Sequence, residues 1–81
     1  MNLESEIKKA LKEDLSLTQL TDLLFRFKQF GGSQKEAYKI LEKIRDGDID
    51  ESVEDKVLEI MDFVSGYCSQ DNRIWEGVLI N

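Results

Sequence analysis

Apolar residues recur every three or four positions along most of the chain, which is the spacing of amphipathic α-helices. The first such stretch runs from Asn2 to Glu13, and Asn2 stands where a helix N-cap is expected. Its apolar stripe is formed by Leu3, Ile7, Ala10 and Leu11. The pattern therefore predicts a first helix that buries one face.

A capping box predicts the start of a second helix. Ser16 is followed three residues later by Gln19, so that each side chain can cap a backbone N–H of the other residue. The helix is expected to reach Phe30 and to end there, because the following Gly31 and Gly32 readily adopt left-handed backbone. Its expected buried face is broad and consists of Leu17, Leu20, Leu23, Leu24 and Phe27, widened by Phe25 and Phe30. This helix is therefore expected to be the most buried one.

A second capping box, formed by Ser33 and Glu36, predicts a third helix that extends to Asp46 and stops before Gly47. Its inward-facing residues are expected to be Ala37, Ile40, Leu41 and Ile44.

A fourth helix is predicted to begin at Asp50 or Ser52 and to run to Ser65. Gly66 either ends this helix or is spanned by it. The residues expected to face inward are Val53, Val57, Ile60, Met61 and Val64.

The segment after residue 72 is unusually apolar for its length. A polar stretch at residues 69–72 is typical of a turn. The apolar side chains that follow it are expected to be buried against other apolar groups, and they are Ile74, Trp75 and residues 78–80. The segment is expected either to dock on the helices or to pair with something as a short strand. Trp75 accordingly has two interpretations, as a side chain that closes the core or as an anchor for a partner.

Four amphipathic stretches joined by short links indicate an all-α fold, a compact bundle of about four helices with a short apolar C-terminal tail. With 81 residues, the chain is expected to form one helical domain spanning 1–81.

Composition argues against enzyme chemistry. The chain has no His and a single Cys, Cys68, which excludes zinc sites built from Cys and His and the commonest general base near pH 7. Asp46, Asp48 and Asp50 have the spacing of a calcium loop, but Glu51 and Val57 stand where that loop needs Gly and Glu. We therefore expect no catalytic residue, no metal and no cofactor.

The apolar runs are short and the first residues include acids where a signal peptide needs bases, so we expect a cytoplasmic protein without a membrane span. The lone Cys agrees with this location, because small secreted domains usually carry paired Cys.

Negative charge is concentrated in one part of the chain. The net charge is −6, yet residues 46–62 hold eight acids and one base, Lys56. Such a patch attracts a basic partner and accelerates its association, although a solvated helix face is the simpler explanation. The residues predicted to bind a partner are Asp48, Asp50, Glu51, Asp55, Glu59 and Asp62, with Tyr67, Arg73 and Trp75 as anchors if exposed.

The segment Asp62-Phe63-Val64-Ser65-Gly66-Tyr67-Cys68, followed by Arg73-Ile74-Trp75, resembles part of the small helical immunity proteins of bacterial polymorphic toxin systems, including contact-dependent growth inhibition. The resemblance extends to the helix layout of residues 3–75. It implies a cytoplasmic inhibitor that binds and neutralises a cognate toxin domain, which for a nuclease would offer a basic surface. No site residue can be transferred from it, because such proteins share no binding residues.

Two other functions stay open. The helix spanning 33–46 carries Lys35, Lys39 and Lys43 and follows a Gly-Gly turn, as in a helix-turn-helix regulator that binds DNA. The acidic net charge argues against nucleic acid as the partner. The apolar tail alternatively fits a non-enzymatic adaptor that self-associates, and the sequence leaves the oligomeric state undetermined.

Overall fold

Side-chain caps define where three of the four helices begin. The computed structural model describes residues 2–47, 49–66, 74, 75 and 77, and its helices are α1 (Leu3–Lys12), α2 (Leu17–Gln29), α3 (Gln34–Arg45) and α4 (Glu51–Ser65). Side-chain oxygens of Asn2, Ser16 and Ser33 each accept a hydrogen bond from the backbone N–H three residues later, at 3.1, 3.3 and 3.1 Å. The predicted all-α fold with four helices is confirmed.

The end of α1 is tied to α4. Asp14 adopts left-handed backbone with φ of 56°, while the Leu15 N–H donates to the carbonyl of Ala10 at 3.0 Å, as in a Schellman motif. Lys56 of α4 donates from Nζ to Asp14 Oδ1 at 2.6 Å. The one base among residues 46–62 is thus directed toward α1.

The end of α2 explains the Gly-Gly pair. Gly31 has φ of 88°, and the Gly32 N–H donates to the carbonyl of Phe27 at 2.9 Å. A Cβ on Gly32 would lie 2.3 Å from the Phe27 ring, so the ring packs directly on this glycine.

Each helix buries part of the apolar stripe that the sequence indicates. The members of these stripes that are only half-buried are Leu11, Leu17, Leu23, Phe27, Ile40 and Val53. α1 packs against α2 and α3, and α4 packs against the same two helices, with α3 and α4 sharing the largest contact. α1 shares much less contact with α4, and α2 with α3. The buried apolar side chains are Leu3, Ile7, Ala10, Leu20, Leu24, Ala37, Leu41, Ile44, Val57, Ile60, Met61, Val64 and Ile74.

The expectation that α2 is the most buried helix is wrong. Only Leu20 and Leu24 of this helix are buried, whereas Phe25 is 40% exposed and Phe30 is 78% exposed. Phe25 lies on the outward side of the helix, and Phe30 occupies the C-cap, after the last helical residue. Both rings therefore belong to the surface.

The tail docks on the bundle where the structure describes it. Ile74 is buried, and its N–H donates to a carbonyl near the end of α4 at 3.3 Å. Lys28 Nζ donates to the Ile74 carbonyl at 2.9 Å. Gln34 Nε2 donates to the carbonyls of Val64 and Gly77, both at 2.8 Å. The segment thus links α2, α3 and α4.

Gly66 ends α4 in left-handed backbone with φ of 90°, which settles the choice that the sequence left open. No helix in the described part of the chain is long and apolar enough to cross a membrane.

We predict that Lys56→Met raises the pKa of Asp14 toward its ordinary value. The hydrogen bond from Lys56, aided by the charge of its ammonium group, holds the pKa of Asp14 below that value in the folded protein. A carboxylate with a lowered pKa stabilises the fold above pH ~3.9, the ordinary aspartate value, and this contribution is lost as the pH falls through the lowered pKa. The stability difference between wild type and Lys56→Met should therefore shrink on acidification below that value.

Carboxyl NMR titration and urea unfolding at several pH values measure both effects. Lys9→Met, which removes an exposed lysine of α1, should leave the titration of Asp14 unchanged. An Asp14 titration that Lys56→Met does not move would contradict the role given to this ion pair.

Candidate functional site

Four acidic side chains of α4 form one outward-facing stripe. Glu51, Asp55, Glu59 and Asp62 are all exposed, and we call them the acidic stripe. At about 100° per residue, they fall within roughly 80° of the helix circumference. The opposite side of α4 carries Val57, Ile60 and Val64 into the core, so the stripe faces away from the bundle.

The stripe has no internal counterion in the described part of the chain. The ion pairs there join Glu4 to Lys8, Glu4 to Lys43, and Asp14 to Lys56, and they leave all four stripe acids unpaired. The charge of this surface is thus not offset by neighbouring bases of the described residues.

The position of Asp62 is unfavourable for the helix itself. Acids in the first turn of α4, such as Glu51, interact well with the positive end of the helix dipole. Asp62 lies in the last turn, which contains no base, so its charge meets the negative end of the dipole. Helix stability does not explain an acid at this position, and a role in binding would.

Leu58 adds an apolar group to the stripe. It is 37% exposed and lies roughly 20° from Glu51 around the helix axis. Leu58 thus borders the stripe, as an apolar side chain beside a charged rim does in a protein interface. Leu58 was not predicted from the sequence as a binding residue, although a helical wheel places it on the acidic side of α4 and not with Val57.

The remaining predicted site residues have separate locations. Asp50 is exposed and occupies the N-cap of α4, so it extends the stripe toward the preceding loop. Asp48, Tyr67 and Arg73 lie outside the described residues. Trp75 is half-buried and packs against the core. Part of its side chain is exposed, and its role in binding stays a prediction.

The exposed Phe30 after the end of α2 was not predicted from the sequence as a surface residue. Phe30 borders a small cleft of about 220 Å³ with Phe27, Gly31, Gly32 and Glu36. The sequence did indicate this exposure, because Phe30 directly precedes the Gly-Gly pair that stops α2 and therefore lies outside the buried stripe of the helix.

The start of α3 is occupied by contacts within the protein. The Gln34 amide bonds to two carbonyls, from α4 and from the tail. Further along, Lys43 lies 3.3 Å from Glu4. A recognition helix presents its first residues to base edges, and α2 and α3 share little contact in this bundle. The packing therefore does not favour a helix-turn-helix arrangement.

Among the described residues, no three acidic or Cys side chains lie close enough to hold a metal ion.

We found no match to this chain among protein-family models, curated proteins or solved structures. Its function must therefore be inferred from its own residues.

We predict opposite effects of neutralising the two ends of the stripe. Asp62→Asn should stabilise the fold relative to Glu51→Gln, by about 1 kcal/mol, because only Asp62 lies at the negative end of the helix dipole. Each substitution removes one negative charge and relieves similar repulsion within the stripe, so the difference between them isolates the dipole contribution. Urea unfolding at low ionic strength measures it. Equal stability of the two variants would show that Asp62 carries no cost for the helix.

Proposed function

We propose that this chain is a non-enzymatic, protein-binding module whose acidic stripe docks on a basic surface of a partner protein. The observation that carries the proposal is the unpaired charge of four exposed acids on one side of α4, with Leu58 at their edge. The charges supply long-range attraction and rapid association, and the apolar side chain supplies contact area that slows dissociation.

We further propose that the partner is a toxin domain and that the chain is its immunity protein, acting in the bacterial cytoplasm. The segment from Asp62 to Cys68 and the Arg73-Ile74-Trp75 sequence support this class, through their resemblance to immunity proteins of polymorphic toxin systems. An acidic helix suits this task if the toxin is a nuclease, because nuclease sites carry positive charge that holds phosphates. A row of carboxylates can occupy such a site in place of nucleic acid.

The test is a capture experiment followed by a growth assay. The tagged protein serves as bait in the native cell, and bound proteins are identified by mass spectrometry together with the neighbouring reading frames. A captured basic domain is then expressed in a host with and without this chain. Growth that depends on co-expression of this chain supports the proposal, whereas capture of DNA or of further copies of this chain alone would favour the regulator or the self-associating adaptor.

We predict that the triple variant Asp55→Asn, Glu59→Gln, Asp62→Asn associates with that partner at least tenfold more slowly at low salt. Removing three charges weakens electrostatic steering, which typically accelerates association by ~10–10³-fold. The salt dependence of the association rate should flatten at the same time. Stopped-flow or surface plasmon resonance at several salt concentrations measures both effects.

A matched control distinguishes the effect of the acidic stripe on the association rate from the effect of net charge. The variant Glu6→Gln, Asp22→Asn, Glu42→Gln removes three exposed, unpaired acids from α1, α2 and α3, which gives the same net charge. It should retain most of the association rate. Equal slowing by both triple variants would mean that overall charge, and not this surface, governs binding.

We predict that Leu58→Ala accelerates dissociation of the same complex by about fivefold to thirtyfold and changes association little, because loss of an apolar anchor costs about 1–2 kcal/mol. Phe25→Ala, which truncates a similarly exposed side chain on α2, should leave dissociation near the wild-type rate. The reverse result would relocate the interface to α2.

A further inference from the structure

A cleft of the opposite charge lies where the end of α1, the end of α3 and the start of α4 meet. Its volume is about 480 Å³, which falls within the ~300–1,000 Å³ of small-molecule sites. The apolar part of its lining includes Leu11, Ile44 and Val53. Ile44 is almost fully buried, while Leu11 and Val53 are half-buried, so the cleft reaches down to the side chains of the core.

Three lysines line the same cleft from two sides, Lys8 and Lys12 from α1 and Lys43 from α3. The Nζ atoms of Lys8 and Lys43 approach the two oxygens of the Glu4 carboxylate at 2.9 and 3.3 Å. Their ammonium groups therefore converge closely enough to hold one carboxylate between them. The hydrogen bonds from Lys8 and then Lys43 lower the pKa of Glu4, which agrees with a positive local potential.

Lys12 is available to a ligand. It forms no ion pair with any described residue, and it is the last residue of α1, one turn beyond Lys8. Asp50, which lines the cleft, and Glu4, which pairs with Lys8 and Lys43, offset two of the three lysine charges. The remaining positive charge suits a monoanion, and the apolar lining suits an alkyl body in place of a sugar or a polyphosphate.

We propose that this cleft binds a single-chain amphipathic carboxylate of medium length. The alkyl chain lies on Leu11, Ile44 and Val53. The carboxylate is held at the rim by Lys12, while Lys8 and Lys43 share their charge with Glu4. The cleft contains none of the four acids of the acidic stripe, although Asp50 lines the cleft and also extends that stripe. The proposal does not depend on the proposed function.

The experiment titrates the protein with sodium decanoate and follows backbone amides by two-dimensional NMR. Saturable shifts are expected for residues 8–12, 43–47 and 49–53, with a dissociation constant on the order of 1 mM, which is consistent with burial of several CH₂ groups and weak ion pairs. Decyltrimethylammonium has the same alkyl chain and the opposite charge, and it should not perturb these amides at equal concentration. The proposal is overturned if the cation shifts the same amides or if decanoate gives no saturable shift below about 10 mM.

Two double variants test which lysines interact with the carboxylate of decanoate. Lys12→Gln with Lys43→Gln should weaken decanoate binding by about threefold to tenfold. Lys9→Gln with Lys39→Gln removes two exposed lysines from the same two helices, outside the described cleft lining, and should leave the affinity unchanged. Equal weakening by the two pairs would mean that the carboxylate responds only to net charge.

Asp50→Asn provides a second test, in which the affinity for decanoate is expected to increase. The Asp50 side chain makes no capping hydrogen bond, so α4 should remain intact in this variant. The loss of a negative charge from the cleft should strengthen decanoate binding by about twofold to fivefold. The same substitution removes one predicted partner-binding acid, so it should slow association with a basic partner. Unchanged or weaker decanoate binding in this variant would contradict the proposed position of the carboxylate.

Discussion

The inward side of α4 is the constraint on which the rest of the structure depends. α4 packs against α2 and α3, and it also bonds through the Phe63 carbonyl to the docked Ile74. Val57, Ile60, Met61 and Val64 are all needed to complete the core of a chain this small. Because the inward positions are committed to packing, any charge on this helix must lie on the outward side. The fold therefore gathers acids that are spread over twelve residues of sequence into one stripe.

The sequence predicted the helices well because their start and stop signals are local. Asn2, Ser16 and Ser33 cap the helices to which the sequence assigned them, and Gly31 and Gly66 adopt the left-handed backbone expected of a helix stop. Burial along α2 was overestimated for a non-local reason. A list of apolar residues does not show which sides of α2 its neighbours cover, and the described neighbours leave Phe25 and Phe30 exposed.

The candidate site was predictable in part because the spacing of its acids is also a local signal. The i, i+4 and i+7 spacing of Asp55, Glu59 and Asp62 places them together on any helix. Leu58, in contrast, has the same residue type as the core side chains and is distinguished only by its angle around the axis. The lysine cleft was not predictable, because Lys12, Lys43 and Val53 come from three helices whose packing partners the sequence does not specify.

The docked segment after α4 determines where the folding unit has to end. Ile74 fills a place in the core, and Gln34 at the start of α3 bonds to both Val64 and Gly77. Without residue 74, the core formed by the four described helices lacks one of its buried side chains. A boundary drawn at the last helical residue, Ser65, would therefore yield a particle with exposed core and weakened cooperativity.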